Sequence, residues 1–234
     1  MAIQPVRPGS RLFVTGQTGS GKTRGMLYQA NRQELPVIVL DTKIEPAFLD
    51  LPGAIAYDGL DIQALYQHYD EHPDCPPIIL RPRAQEYDPE ILDGFVNDLY
   101  VTCTGACIVI DELYPLHRNG QAGPGLVALL TRGRSRELTT IMGAQRPRRI
   151  SLFCLSEADY TMCYQLRLIE DRARIAEATG FREMDRPVQK YWFWWADQDR
   201  CVLHKPVPLT LKSNIINNIA PTEGGLDKPQ IRMV

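Results

Sequence analysis

Eight consecutive residues, GQTGSGKT, carry the most specific chemistry in this sequence. They match the phosphate-binding pattern G-x-x-x-x-G-K-[ST] at every fixed position. Glycines let such a loop wrap closely around a polyphosphate, with backbone N–H groups pointing at phosphate oxygens. Lys22 would neutralise the β- and γ-phosphates, and the Thr23 hydroxyl would be offered to Mg²⁺. We therefore predict a site for ATP and Mg²⁺ whose nucleotide contacts are Gly16, Gln17, Thr18, Gly19, Ser20, Gly21, Lys22 and Thr23.

Further residues that could take part in chemistry follow an apolar run and a β-rich run later in the chain. The run Ala106–Ile110 leads directly into Asp111 and Glu112. Asp111 would hold Mg²⁺, and the Glu112 carboxylate could orient and activate an attacking water. Gln145 follows a β-rich run and offers the polar amide expected of a γ-phosphate sensor. With the phosphate loop, these residues predict ATP hydrolysis.

The apolar runs predict strands that alternate with helices, as in an α/β fold with a mainly parallel sheet flanked by helices. Asp88 before Pro89 is a plausible helix N-cap, and Gly180 a plausible helix end. We expect strands at 12–14, 35–40, 77–81, 106–110, 138–143, 150–154 and 160–166, and helices at 24–33, 62–69, 89–101, 126–131 and 168–179.

The remaining segments give weaker signals. The turn formers between Tyr114 and Gly125 predict a mobile loop. Residues 190–195 and 201–204 predict a C-terminal β-hairpin, whose aromatic run is expected to pack in the core. We predict one ATPase domain over residues 1–212, with the motifs between about 10 and 150, and an extended tail over 213–234.

Composition narrows the class of protein. The chain has 234 residues, 44% hydrophobic and 23% charged, without an apolar run long enough to cross a membrane. The first residues lack the apolar core of a signal peptide, so we expect a cytosolic protein without direct membrane insertion. Six cysteines lie scattered without a C-x-x-C pair, which argues against a metal site built from cysteines and against a disulfide framework.

The net charge of −2 conceals one basic segment. Between residues 132 and 149 a single acid, Glu137, accompanies six arginines. Such a segment predicts a local anion-binding face. Its arginines are Arg132, Arg134, Arg136, Arg146, Arg148 and Arg149.

Four segments together resemble the FtsK–HerA superfamily of RecA-like pumping ATPases: GQTGSGKT, VIVLDTK, CIVIDELY and TRGRSRELTTIMGAQRPRR. The resemblance is strongest to the genome-packaging ATPases of icosahedral viruses with an internal membrane. It implies a RecA-like P-loop core in which the strand before Gln145 lies between the phosphate-loop strand and the strand before Asp111. Residues 41–43, Asp-Thr-Lys, match a similar Asp-x-Lys in this group, near the site and without an assigned role.

The resemblance also implies an assembly and a task. The active form would be a homo-oligomeric ring, a hexamer, with ATP at the subunit interfaces and a catalytic arginine supplied by the neighbour. The candidates are Arg132, Arg134 and Arg136, in that order. The ring would drive double-stranded DNA into a preformed capsid, with capsid or packaging-vertex proteins as partners, in the host cytoplasm and at the packaging vertex of the virion. The DNA backbone could be contacted by Arg146, Arg148 and Arg149, or by the loop at Asn119-Gly120.

Other functions stay open on the sequence alone. One is a DNA translocase of the same superfamily that acts in plasmid or conjugative transfer. Another is a small-molecule P-loop kinase, against which Glu112 and Gln145 argue. A third is a non-catalytic virion protein that binds nucleotide only as structure, against which the intact Lys22, Thr23, Asp111 and Glu112 argue. The apparent lack of membrane-spanning helices and of an appended DNA-reading domain favours packaging over chromosome segregation.

Overall fold

A computed structural model describes residues 3–208, so the predicted tail lies outside the described residues. The strands are β1 (Arg11–Thr15), β2 (Val37–Leu40), β3 (Ile55–Asp58), β4 (Ile78–Arg81), β5 (Cys107–Ile110), β6 (His117–Arg118), β7 (Gln121–Ala122), β8 (Thr139–Ala144), β9 (Tyr160–Cys163), β10 (Phe193–Ala196) and β11 (Cys201–His204). The α-helices are α1 (Lys22–Ala30), α2 (Ile62–Glu71), α3 (Pro89–Thr102), α4 (Pro124–Arg132), α5 (Leu152–Ser156) and α6 (Ile169–Thr179).

One nine-stranded sheet organises the molecule, in the order β11-β10-β9-β1-β8-β5-β2-β4-β3. Its pairs from β9 to β3 are parallel, whereas β10 runs antiparallel to both β9 and β11. The predicted α/β fold with a mainly parallel sheet is therefore confirmed. Strand β8 lies between β1 and β5, as the resemblance implies. The carboxyl ends of β1, β8, β5 and β2 meet along one side of the sheet, called here the carboxyl edge.

Both faces of the sheet are covered, which explains why its central strands are continuously apolar in sequence. Along β5, Cys107 and Val109 belong to one buried cluster, and Ile108 and Ile110 belong to the other. Helix α1 packs into the first cluster, while α3 and α4 pack into the second. Among the residues that the structure describes, no helix has the length and apolar character needed to span a bilayer.

Several predicted elements are confirmed with their end signals. The Asp88 carboxylate accepts hydrogen bonds from the backbone N–H groups of Glu90 (2.9 Å) and Ile91 (3.4 Å) and so caps α3. Gly180 ends α6 at a φ of 75°. The hairpin of β10 and β11 is present, and Phe193 and Trp195 within it are buried, as expected for core packing.

Three predictions need correction. The run 150–154 is not a strand, because its residues turn into the short helix α5. Short apolar runs do not distinguish the two structures by periodicity. Strand β3 was not predicted, since it is a half-buried edge strand with a weak apolar pattern. The segment expected to be a loop holds the hairpin β6–β7, which turns through Asn119 (φ 52°) and Gly120 (φ 76°).

Candidate functional site

The phosphate loop connects β1 to α1 and needs glycine at two points. Gly21 forms the N-cap of α1 with a φ of 105°, where a side chain would be strained. At Gly16 a Cβ would lie 2.4 Å from Ser20 Oγ and 2.7 Å from Tyr164 Cβ. The loop therefore closes only over a glycine. It leads into a helix N-terminus, whose backbone N–H groups and dipole favour an anion.

The structure brings the loop together with Asp111, Glu112 and Gln145 at the carboxyl edge. Lys22 Nζ donates to the backbone oxygen of Asp111 at 3.4 Å. The Thr18 hydroxyl donates to Gln145 Oε1 at 3.3 Å. The Gln145 backbone N–H donates to Glu112 Oε1 at 3.2 Å. Residues from three neighbouring strand ends thus form one continuous polar cluster.

Asp111 is a buried carboxylate with one oxygen unused. Its Oδ1 accepts hydrogen bonds from the backbone N–H (2.9 Å) and the hydroxyl (2.6 Å) of Thr42. Its Oδ2 is buried and has no hydrogen-bond partner among the described residues. Burial raises the pKa of Asp111 to about 6, against the hydrogen bonds from Thr42 and the charge of Lys43. An orphaned carboxylate oxygen next to a phosphate loop fits Mg²⁺, a hard cation that prefers oxygen ligands. Thr23 lies in the first turn of α1, immediately after Lys22.

Two buried or half-buried cations face the acidic pair. Lys22 is 7% exposed, and burial and then the charge of Lys43 lower its pKa. Lys43 forms an ion pair with Glu112, whose side chain is 7% exposed. The two ammonium groups and the two carboxylates balance one another. A polyphosphate with a divalent cation would enter a site that already has complementary charge of both signs.

The segment after β2 positions Thr42 and Lys43, a role that sequence reasoning did not assign. Asp41 is fully buried, and its carboxylate accepts from Arg81 Nε (3.0 Å) and from the Glu45 backbone N–H (2.8 Å). Burial raises the pKa of Asp41, and these hydrogen bonds oppose that shift. The charged motif at a strand end was the available signal. Tyr164, which lies under the phosphate loop, has no comparable signal in the sequence.

Arg132, Arg134 and Arg136 lie at the opposite side of the sheet, just before the amino end of β8. Arg136 donates to the backbone oxygens of Val101 (2.6 Å) and Cys103 (3.3 Å). Arg134 pairs with an Asp159 carboxylate at 3.1 Å. The Arg132 guanidinium is exposed and has no hydrogen-bond or ion-pair partner within residues 3–208. None of the three joins the cluster around its own phosphate loop.

A basic cleft of about 420 Å³ lies on the carboxyl-edge side, beyond β5 and β8. It includes Gly120 of the β6–β7 hairpin together with Arg148, Arg149 and Arg174. The Arg149 guanidinium lies over the Tyr114 ring, 5.7 Å from its centre. The structure thus brings the hairpin together with two of the three arginines that the sequence offered as alternative DNA contacts. Arg146 instead pairs with Asp171, from Nε to Oδ2 at 2.7 Å.

One protein of known function is similar to this chain over most of its length. The chain is 25% identical over 225 residues to the DNA packaging ATPase P9 of Enterobacteria phage PRD1, covering 89% of this chain and 92% of that protein. No family model matches the chain.

Two solved structures show the same fold at low identity. The genome packaging NTPase B204 of Sulfolobus turreted icosahedral virus 2, in complex with ATP-gammaS, matches with a TM-score of 0.66 and 16% identity over 87% of this chain and all of that one. VirB4 of Thermoanaerobacter pseudethanolicus matches with a TM-score of 0.62 and 12% identity over 85% of this chain and 89% of that one. The comparisons confirm the resemblance of this chain to the FtsK–HerA P-loop ATPases, and to viral genome-packaging ATPases in particular.

Proposed function

We propose that this chain is an ATP-hydrolysing motor that drives double-stranded viral DNA into a preformed capsid. The observation that carries the proposal is the convergence of the phosphate loop, Asp111, Glu112 and Gln145 within hydrogen-bond distances at the carboxyl edge. The similarity to the packaging ATPase of phage PRD1 supports the assignment of DNA packaging.

The site residues take the following roles in the proposal. Backbone N–H groups of residues 16–23 bind the phosphates of ATP, and Lys22 neutralises their charge. Asp111 and Thr23 hold Mg²⁺, which when bound supplies further charge neutralisation. Glu112 orients the attacking water, and Gln145 responds to the terminal phosphate. The orphaned Oδ2 of Asp111 supports the metal assignment.

A ring of identical subunits, with six members as the resemblance implies, would complete the site. Arg132 is our first candidate for the arginine supplied by the neighbour, followed by Arg134 and then Arg136. Its free guanidinium supports this order, because Arg136 is already held by two backbone oxygens of its own subunit. We propose that residues 1–212 form one ATPase domain, and the continuous sheet that contains both β1 and β11 supports this proposal.

The basic cleft is the candidate DNA interface. A packaging motor must tolerate every sequence, so its contacts should go to backbone phosphates and weaken as salt rises. Arg148 and Arg149 are exposed, and the β6–β7 hairpin lies beside them. Capsid or packaging-vertex proteins are the further partners, in the host cytoplasm and at the packaging vertex.

ATP turnover with and without long duplex DNA tests the proposal. We expect duplex DNA to stimulate hydrolysis by the wild type, and the double substitution Arg148→Ala, Arg149→Ala to remove the stimulation while leaving the basal rate. Arg182→Ala, an exposed arginine outside the cleft, serves as the matched control. Transfer of phosphate to a small metabolite would instead identify a kinase, and no turnover by the wild type would refute both enzymatic functions.

A further inference from the structure

Both oxygens of the Glu112 carboxylate have a hydrogen-bond or ion-pair partner within the protein. One accepts from the Gln145 backbone N–H at 3.2 Å, and the other pairs with the Lys43 ammonium. Each carboxylate oxygen can accept a second hydrogen bond, but the Lys43 ammonium competes with water for the oxygen that it pairs with. Departure of one of these two partners would leave a carboxylate oxygen fully available to orient the attacking water.

Lys43 is the partner that can move. The backbone N–H of Gln145 is fixed at the end of β8, whereas Lys43 ends a flexible stem and its side chain is 30% exposed. The hydrogen bonds of the two preceding residues fix the backbone next to Lys43 and not the end of its side chain. Asp41 is bound by Arg81 and by the Glu45 backbone, and Thr42 is bound twice to Asp111.

The segment also has a strained residue immediately after Lys43. Ile44 has a φ of 54°, a conformation that a β-branched residue rarely adopts, and it is 59% exposed. Backbone strain of this kind persists only where surrounding contacts enforce it, and it is common in switch segments. Here the Ile44 backbone N–H donates to the Asp41 backbone oxygen at 3.5 Å, so this conformation belongs to the turn that carries Lys43.

We propose that Lys43 exchanges partners during the reaction cycle, an inference that rests on the proposed function. Without a terminal phosphate, Lys43 pairs with Glu112 and competes with water for its carboxylate. When ATP binds, Lys43 transfers to the terminal phosphate, which carries more negative charge than a carboxylate, and Glu112 becomes free to orient water. ADP, which lacks that phosphate, leaves the Lys43–Glu112 pair in place.

A double-mutant cycle tests the exchange directly. The wild type, Lys43→Gln, Glu112→Gln and the double variant are unfolded by heat without nucleotide, with saturating ADP, and with a saturating non-hydrolysable ATP analogue. We expect the two substitutions to be non-additive without nucleotide and with ADP, because either one breaks the same pair. With the ATP analogue we expect their effects to become additive.

A second readout distinguishes exchange from a merely structural role. Lys43→Gln should weaken binding of the ATP analogue by roughly tenfold or more, while ADP affinity changes little. A structural lysine would affect both nucleotides alike. The half-buried pair Arg200–Asp197, at 3.1 Å in the β10–β11 turn, is the control, and its coupling should be the same in all three conditions.

Two results would overturn the inference. One is a Lys43–Glu112 coupling that persists unchanged with the ATP analogue, and the other is the lack of any coupling without nucleotide. Both the double-mutant cycle and the affinity measurements require only that the protein binds nucleotide. A wild type that binds ATP but never hydrolyses it, or ignores DNA, would therefore refute the proposed function without deciding the Lys43 exchange.

Discussion

Gly143 has no side chain that could act on the nucleotide, yet one methyl group there should disable hydrolysis. This residue of β8 packs against the chain at the end of β5, and its backbone oxygen accepts from the Leu113 N–H at 2.8 Å. A Cβ at this position would lie 2.1 Å from the Asp111 backbone oxygen and 2.9 Å from its carbonyl carbon. Neither strand can avoid the clash by rotating a side chain, because the opposing atoms are backbone.

The size of the effect follows from that distance. Carbon and carbonyl oxygen atoms approach to roughly 3.3 Å, so Gly143→Ala must displace Asp111 by about 1 Å. Misplacing catalytic groups by about 1 Å can cost roughly 10²-fold in rate. We expect turnover to fall by about that factor, with about 1–3 kcal/mol of lost stability from overpacking.

Steady-state ATP turnover, measured well below the unfolding temperature of each variant, provides the assay. Binding of ADP without Mg²⁺ should be retained, since the phosphate loop itself is untouched. Gly94→Ala is the matched control, because a Cβ there meets nothing within 4 Å and its position within α3 favours alanine. Wild-type turnover in Gly143→Ala would refute the idea that close approach of β8 to β5 positions Asp111.

Three further predictions follow from particular side chains. The Asp93 carboxylate, on α3, caps α4 by accepting hydrogen bonds of 2.8 Å from the Gly125 and Leu126 backbone N–H groups. Asp93→Ala should therefore lower the unfolding free energy, measured by chemical denaturation, by roughly 2–4 kcal/mol. A change below about 0.5 kcal/mol would contradict this prediction. The pKa of Asp111 is raised in the folded state from 3.8 to about 6. Its protonated carboxyl therefore stabilises the fold below pH 4, and this stabilisation is lost as pH rises through about 6. In metal-free buffer, the unfolding free energy of the wild type relative to Asp111→Asn should therefore fall by roughly 2 kcal/mol between pH 4 and 7, and a pH-independent difference would be inconsistent with this. If Arg132 acts on a neighbour's nucleotide, then mixing inactive Arg132→Ala and Lys22→Ala subunits should restore part of the turnover, whereas mixtures that stay inactive would exclude that role.

The sequence was sufficient to predict the elements that have a local cause. Continuous apolar runs marked β1, β2 and β5, because strands buried on both faces leave no polar alternation. A run of residues that favour strands marked β8. Asp88 and Gly180 marked helix ends through capping chemistry that depends only on nearby residues. The order of the strands around β8 came from the family resemblance and not from any pattern in the chain.

The missed features depend on contacts between distant residues. Residues 152–154 of the predicted strand belong to α5 because tertiary packing decides between helix and strand in so short an apolar run. Lys43 and Glu112 are 69 residues apart, so their pairing requires the adjacency of β2 and β5. Tyr164 supports the phosphate loop only because β9 pairs with β1.

Displacement of a triplex-forming strand from a long linear DNA duplex tests the central claim most directly. The assembled wild-type protein with ATP and Mg²⁺ should displace the third strand, and Glu112→Gln should bind ATP but displace it at least about 10²-fold more slowly. Failure of the wild type to displace the strand while hydrolysing ATP, or equal displacement by Glu112→Gln, would contradict an ATP-driven DNA motor.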